Sequence, residues 1–307
     1  MISLIKIFNC NVRDFFVGAI VMSGGSGTFA GDFSLISNVT RLHTQVDLQQ
    51  LQLLDKVRAV NFKEFQSTAV YTPTQGTIFT KIEVWGGGGA GGGCPTLNFT
   101  NPGAIGIGSG GGSGGYSCGI FSPMIHTLSW NVTIPAAASG VLGGTGNNGG
   151  TTVVTDNSGR SVTALGGIGG ITQSEENTSR TCSRPGGQGA LLGSVVGASS
   201  SIISAGNAGG VAFAVVGADL SIAIGGVGSA PPQSFGPATQ QYIGSVVNGI
   251  TQFGTLDSRA GESAITYGAG GGGGNGGASE SIASGTLAAT TGGNGGKGYV
   301  LITEYLS

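Results

Sequence analysis

The sequence predicts a mainly β protein in which strands are joined by glycine segments running as extended, polyglycine II-like chain, preceded by a short N-terminal helix. Three observations carry this prediction. Glycine supplies 64 of 307 residues while only 8% are charged and the mean hydropathy is positive, the reverse of the low-hydrophobicity, high-charge balance that keeps chains disordered. Alternating β-branched and aromatic runs stand on both sides of the glycine-rich region, at residues 77–85 and 298–306. Within that region Ile, Val, Leu and Trp interleave with the glycines at strand-like intervals, which a flexible glycine-serine tether would not do.

In chain order, residues 1–21 have a mildly basic start and a short apolar stretch at 15–21, with no small-x-small cleavage signature after it. The change of character at Met22 also reads as a second translation start. Residues 42–60 lack Gly and Pro and place Val46, Gln50, Leu53, Val57 and Val60 at alternating spacings of four and three, which predicts one helix with Asn38 or Thr40 as its cap. The stripe is short, and Leu48, Leu51 and Leu54 broaden it; it reads equally as a neck clustering three chains or as a helix packed on its own domain. Two units follow: an N-terminal attachment or oligomerisation segment, 1–66, and a glycine-rich β domain, 67–307.

From Ser67 the period changes. Residues 68–72 and 77–85 read as strands around the turn Pro73-Thr74-Gln75-Gly76. Residues 124–134 include a half-buried alternation, and 151–155 and 161–165 flank Asp156-Asn157-Ser158-Gly159-Arg160 as a hairpin. Residues 191–203 and 211–224, rich in Ala, Val, Ser and Ile, are further strand candidates, and 298–306 is a strand near the end. Between them lie glycine runs at 86–93, 108–115, 143–150, 166–170, 186–189, 268–277 and 292–296. An extended helix of three residues per turn has no internal hydrogen bonds, and glycine loses the most entropy on ordering. Such runs are therefore ordered only when packed side by side, N–H to C=O.

The totals also exclude. A net charge of −2 with scattered basic residues offers no footprint for nucleic acid, and no apolar run is long enough to insert in a membrane as a helix. Glycine does not occupy every third position, against collagen. The many Gly-x-Gly patterns never open a helix with Lys-Ser/Thr, against a phosphate loop. Cys10, Cys94, Cys118 and Cys182 show no metal-like spacing; they read as small buried thiols, with a Cys94–Cys118 bridge as the alternative. His43 and His126 have no partner constellation, and residues 156–159 read as a turn rather than a calcium loop. The chain is expected to be no enzyme and to hold no cofactor or metal.

The run Ile78-Phe79-Thr80-Lys81-Ile82-Glu83-Val84-Trp85 followed by Gly86-Gly87-Gly88-Gly89, with the closing Gly292-Gly293-Asn294-Gly295-Gly296-Lys297-Gly298-Tyr299-Val300-Leu301-Ile302-Thr303, resembles bacteriophage tail-fibre and receptor-binding proteins over about residues 68–307. It is also similar to the glycine-rich extracellular domain of anaplastic-lymphoma-kinase-type receptors. The resemblance implies a β-sandwich frame holding a polyglycine II bundle, a homotrimer in the virion tail assembled in the host cytoplasm, contact with other tail or baseplate proteins through the N-terminal segment, and a host cell-surface receptor as partner. Two segments are expected to be exposed loops facing that receptor. Residues 173–185 hold Glu175, Glu176, Arg180 and Arg184, and residues 231–242 hold Phe235 and Tyr242 as aromatic anchors. The rival expectation is a purely structural role, as fibre shaft, collar, capsid decoration or glycine-rich cell-surface protein.

Overall fold

β-branched and aromatic alternation becomes strand wherever the chain is described. The computed structural model describes residues 57–121, 128–176, 181–215, 222–233, 246–247, 250–251, 257–278 and 282–307. The strands run β1 Ala59–Phe65, β2 Ala69–Tyr71, β3 Thr77–Trp85, β4 Leu97–Phe99, β5 Ala104–Gly108, β6 Tyr116–Phe121 and β7 Trp130–Thr133. They continue as β8 Thr152–Asp156, β9 Ser161–Ala164, β10 Thr172–Glu176, β11 Thr181–Arg184, β12 Ser194–Val196, β13 Ser200–Ser204 and β14 Ala212–Val215. The last are β15 Ile222–Ile224, β16 Val246–Val247, β17 Ile250–Thr251, β18 Asp257–Arg259, β19 Asn275–Ala278, β20 Gly285–Leu287 and β21 Tyr299–Leu306. No helix occurs among the described residues.

Two antiparallel sheets of five strands, ordered β1-β21-β3-β6-β13 and β12-β9-β8-β7-β2, share one core. Period-2 alternation sends Ile82, Val84, Phe121, Val300 and Ile302 of the first sheet against Tyr71, Trp130, Val132, Val154 and Val162 of the second, the packing of a β-sandwich. Phe121 and Trp130 meet edge to face at 4.9 Å between ring centroids. Glu304 lies in this interior with no exposed side-chain surface. Its carboxylate accepts hydrogen bonds from Tyr71 Oη (2.8 Å), Thr74 N (2.8 Å), Thr74 Oγ1 (2.7 Å) and Asn61 Nδ2 (3.0 Å), and Lys63 Nζ stands 3.5 Å away. Burial raises the pKa of this carboxyl, but those bonds outweigh it and leave the group below its ordinary value.

From the sandwich the glycine runs leave as rods. The N–H groups of Gly86, Gly89 and Gly92 donate to the carbonyls of Gly115, Gly112 and Ser109; those of Gly87, Ala90 and Gly93 to Gly150, Asn147 and Gly144; those of Gly88 and Gly91 to Gly296 and Gly293. Each neighbour is addressed at every third residue and in antiparallel sense, the period of an extended helix with three residues per turn. The rod 109–115 is surrounded. It donates to 165–171, 207–210 and 268–271, and 86–92, 187–190 and 226–229 donate to residues 108–115, so six rods satisfy one. Only glycine permits the approach: a Cβ on Gly110, Gly111, Gly112 or Gly114 would stand 1.9–2.1 Å from a carbonyl oxygen. The two serines of this rod are fully buried, and their hydroxyls accept from Ile171 N and Asn207 N at 2.9 and 2.8 Å.

The rods end in a second set of strands, ordered β10-β5-β19-β18 and β11-β14-β15, packed on Ile105, Ile107, Cys182, Ala212, Ala214 and Ala223. β20 pairs with β4 beside them. Successive rods run outward and back, and 86–93 spans roughly 25 Å at about 3.1 Å per residue.

Several expectations change. Residues 57–60 are not the end of a helix: Ala59 and Val60 open β1, which pairs along its length with the backbone of β21, and of its side chains Phe65 packs, partly buried, against the sandwich core. β1 thus falls within the expected N-terminal segment, 1–66; the rest of the expected helix, 42–56, lies outside the described residues. The Cys94–Cys118 bridge does not form: both thiols, and that of Cys182, are free and buried. Cys94 follows the outward rod and Cys118 sits in β6 of the sandwich, so a rod's length separates them. Of the strand expected over 124–134, Trp130–Thr133 forms, and 124–127 lies outside the described residues.

Candidate functional site

The first expected recognition segment is two strands. Thr172–Glu176 pairs with β5, and Thr181–Arg184 with β14; residues 177–180, Arg180 among them, lie outside the described residues. The polar side chains concealed the strands in the sequence, since only Cys182 of β11 points inward and the partner strand, Ala104–Gly108, itself carries two glycines in five residues. Glu175 is half-buried in β10 and accepts from Gln173 Nε2. Glu176 pairs through its backbone with Ala104, its side chain being outside the described residues. Arg184 is exposed. Burial pushes the Cys182 thiol up to about 11, with Glu175 adding to the rise and Arg184 opposing it. Glu175 and Arg184 therefore flank one buried thiol at the far end of the rods.

The second segment starts at the opposite end. Pro231 lies against Gly268 where the rods meet the sandwich, and the Pro232 carbonyl accepts from Trp85 Nε1 at 3.0 Å. Phe235 and Tyr242 lie outside the described residues.

At this end the register of the sandwich assembles an aromatic row. Trp85 is the cross-strand partner of Tyr299 on one side and of Tyr116 on the other, with ring centroids 5.5 and 5.0 Å away. Tyr267 stacks on Tyr299 at 4.7 Å with the planes 13° apart. Tyr116 Oη donates to Glu83 Oε1 at 2.7 Å, and Lys81 Nζ is 2.9 Å from Glu83 Oε2. Burial, then the Glu83 carboxylate, raises the Tyr116 phenol above its usual range. Burial, with Glu64 close by, pushes Tyr299 up to about 12, so both stay protonated at neutral pH.

Trp85, Tyr267 and Tyr299 border a groove of about 920 Å³ whose lining also includes Gln66, Glu83, Gln233 and Lys297. Gln233 has φ +58°, the one non-glycine residue with positive φ among those described. The sequence carried a signal for part of this site: Trp85 and Tyr299 bracket the glycine-rich region, and pairing the two bracketing strands end to end sets them side by side. Gln233 falls within the recognition segment expected over residues 231–242, whereas Tyr267 had no local signature.

A search of curated proteins finds no match. The sequence model of a family described as a glycine-rich domain matches residues 64–305, an interval that opens inside β1 and closes inside β21 and so takes in the sandwich, the rods and the far strands. This chain belongs to that glycine-rich domain family.

Proposed function

We propose that the chain is a display protein of the virion, a bacteriophage tail fibre or receptor-binding protein in which a polyglycine II bundle on a β-sandwich frame holds recognition elements rigidly away from an attachment end. The observation that supports this most is the hydrogen-bonded rod bundle itself. A rod whose N–H groups all donate to neighbours is stiff without side chains, and it locks the far strands at a set distance from the sandwich. Turns between short strands on such a support suit recognition, because ordering them costs little on binding.

In this reading three copies associate through the N-terminal segment and the β frame, the N-terminal segment meets other tail proteins, and β10 and β11 with Glu175 and Arg184 face the host receptor. Deleting 173–185 is a poor test, since it removes two paired strands and the buried Cys182. The double charge reversal Glu175→Lys with Arg184→Glu keeps the backbone. Purified full-length chain is expected to compete with particle adsorption to host cells, the double variant to compete at least about tenfold less well, and gold-labelled antibody to mark the distal tail. Label on the capsid shell would instead assign the chain to the shell, and equal competition by the variant would remove this tip from the receptor contact.

A further inference from the structure

The aromatic groove at the sandwich end has no part in the tip reading, and it has the chemistry of a binding site. Its volume, about 920 Å³, is that of a small-ligand pocket. Its floor is β3 and β21, central strands of their sheet whose backbone groups are already paired. An extended peptide would therefore gain no main-chain bonds there. What the groove presents are ring faces and polar side-chain ends. Tyr267, stacked on Tyr299, is 37% exposed, and Trp85 is held in one orientation by its bond to Pro232. Gln66, Gln233 and Lys297 bring amide and ammonium groups to the rim, groups that donate and, for the amides, also accept. The positive φ of Gln233 is a local strain retained at this rim, the kind of outlier that marks functional positions.

Flat aromatic faces next to paired donors and acceptors match one ligand class. A hexopyranose offers a C–H face that stacks on a ring and equatorial hydroxyls that both donate and accept. We propose that the groove bordered by Trp85, Tyr267 and Tyr299 binds a short oligosaccharide, stacked on the aromatic rings and hydrogen-bonded to Gln66, Gln233 and Lys297. This site stands whether or not the chain belongs to a virion tail.

The chain has two tryptophans, and Trp130 is fully buried, so Trp85 alone reports on the groove. The full chain is applied to a printed array of neutral and uronic-acid-containing hexopyranose oligosaccharides, and the strongest one is titrated against tryptophan fluorescence. A proline-rich decapeptide is titrated in parallel. The expected result is a saturable change with the sugar, weakened about tenfold in Tyr267→Ala and reduced in Lys297→Ala and Gln233→Ala. The melting temperature of each variant is compared with wild type, and the three rim substitutions keep the test open should one of them misfold. Binding of the decapeptide but of no sugar overturns the proposal. So does sugar binding that folded rim variants leave unchanged, or the absence of any sugar binding tighter than about 10 mM.

Discussion

Gly111 sits in the rod that six others surround, and replacing it by alanine adds a single carbon at the point where the bundle is tightest. The new Cβ would stand 2.1 Å from the Gly89 carbonyl oxygen and 2.7 Å from that of Ala90. Real Cβ contacts begin near 3 Å, so rods 109–115 and 86–93 must separate by about 1 Å. These rods are joined by Gly86 N to Gly115 O at 3.0 Å, and by Gly89 N to Gly112 O and Gly92 N to Ser109 O at 2.9 Å. The displacement carries all three to about 4 Å, beyond hydrogen-bonding range. Each bond is worth about 1 kcal/mol net, and a buried group left unpaired costs more, so the substitution is expected to destabilise by about 3–4 kcal/mol. For a domain of this size that lowers the melting temperature by roughly 10 °C. The control is Leu191→Ser, whose side chain is 75% exposed. Thermal unfolding followed by circular dichroism reads both. A Gly111→Ala variant melting within about 2 °C of wild type would mean that the rods are not held by this hydrogen-bond lattice.

Two further predictions concern the buried side chains. Glu304 and Asp156 both have folded-state pKa values below their ordinary ones: at each, burial works the other way but is outweighed by hydrogen bonds, from Ser158 and Arg160 at Asp156 and from Thr74, Tyr71 and Asn61 at Glu304. A depressed carboxyl contributes stability that is present above its unfolded pKa and disappears as pH falls through the folded one. Urea midpoints are therefore expected to stay level from about pH 8 to 5.5 and to fall below about pH 4.5, with a shallower fall in Glu304→Gln; an equal acid slope in that variant would refute the assignment. Cys94, Cys118 and Cys182 are free, and burial pushes the Cys94 thiol up to about 12, so at pH 8 a maleimide should label these three slowly in the native protein and completely once it is denatured without reductant. Recovery of a Cys94–Cys118 linked peptide by mass spectrometry would contradict the structure.

The strands with strong alternation were legible because their signal is local. Thr77–Trp85, the hairpin β8–β9 around residues 156–160, and the closing strand all follow from period and turn chemistry within a few residues. The hairpin turn also bears out the reading of its polar cluster: the Asp156 carboxylate accepts from Ser158 N and from Arg160 N and Nε, and Gly159 takes φ +87°. Strands such as Asn275–Ala278 and Ala104–Gly108 could not be read in this way, because glycine has no side chain to alternate and becomes strand only when a neighbouring strand supplies the partners. The loop expected over residues 173–185 became strand where Thr172–Glu176 pairs with β5 and Thr181–Arg184 with β14, strand character that resides in those partners rather than in its own polar residues.

Composition alone thus determined that glycine segments must be extended and packed: no other residue tolerates carbonyl oxygens where its Cβ would be, and no isolated threefold helix bonds to itself. Which rod neighbours which, which strands close the far end, and the meeting of Trp85, Tyr299 and Tyr267 in one groove were decided only by the tertiary structure. Those pairings join residues more than two hundred positions apart, as Trp85 and Tyr299 are, and the glycine rods present nearly the same backbone, so the strands at a rod's ends, with the few side chains it carries such as Ser109 and Ser113, specify its place.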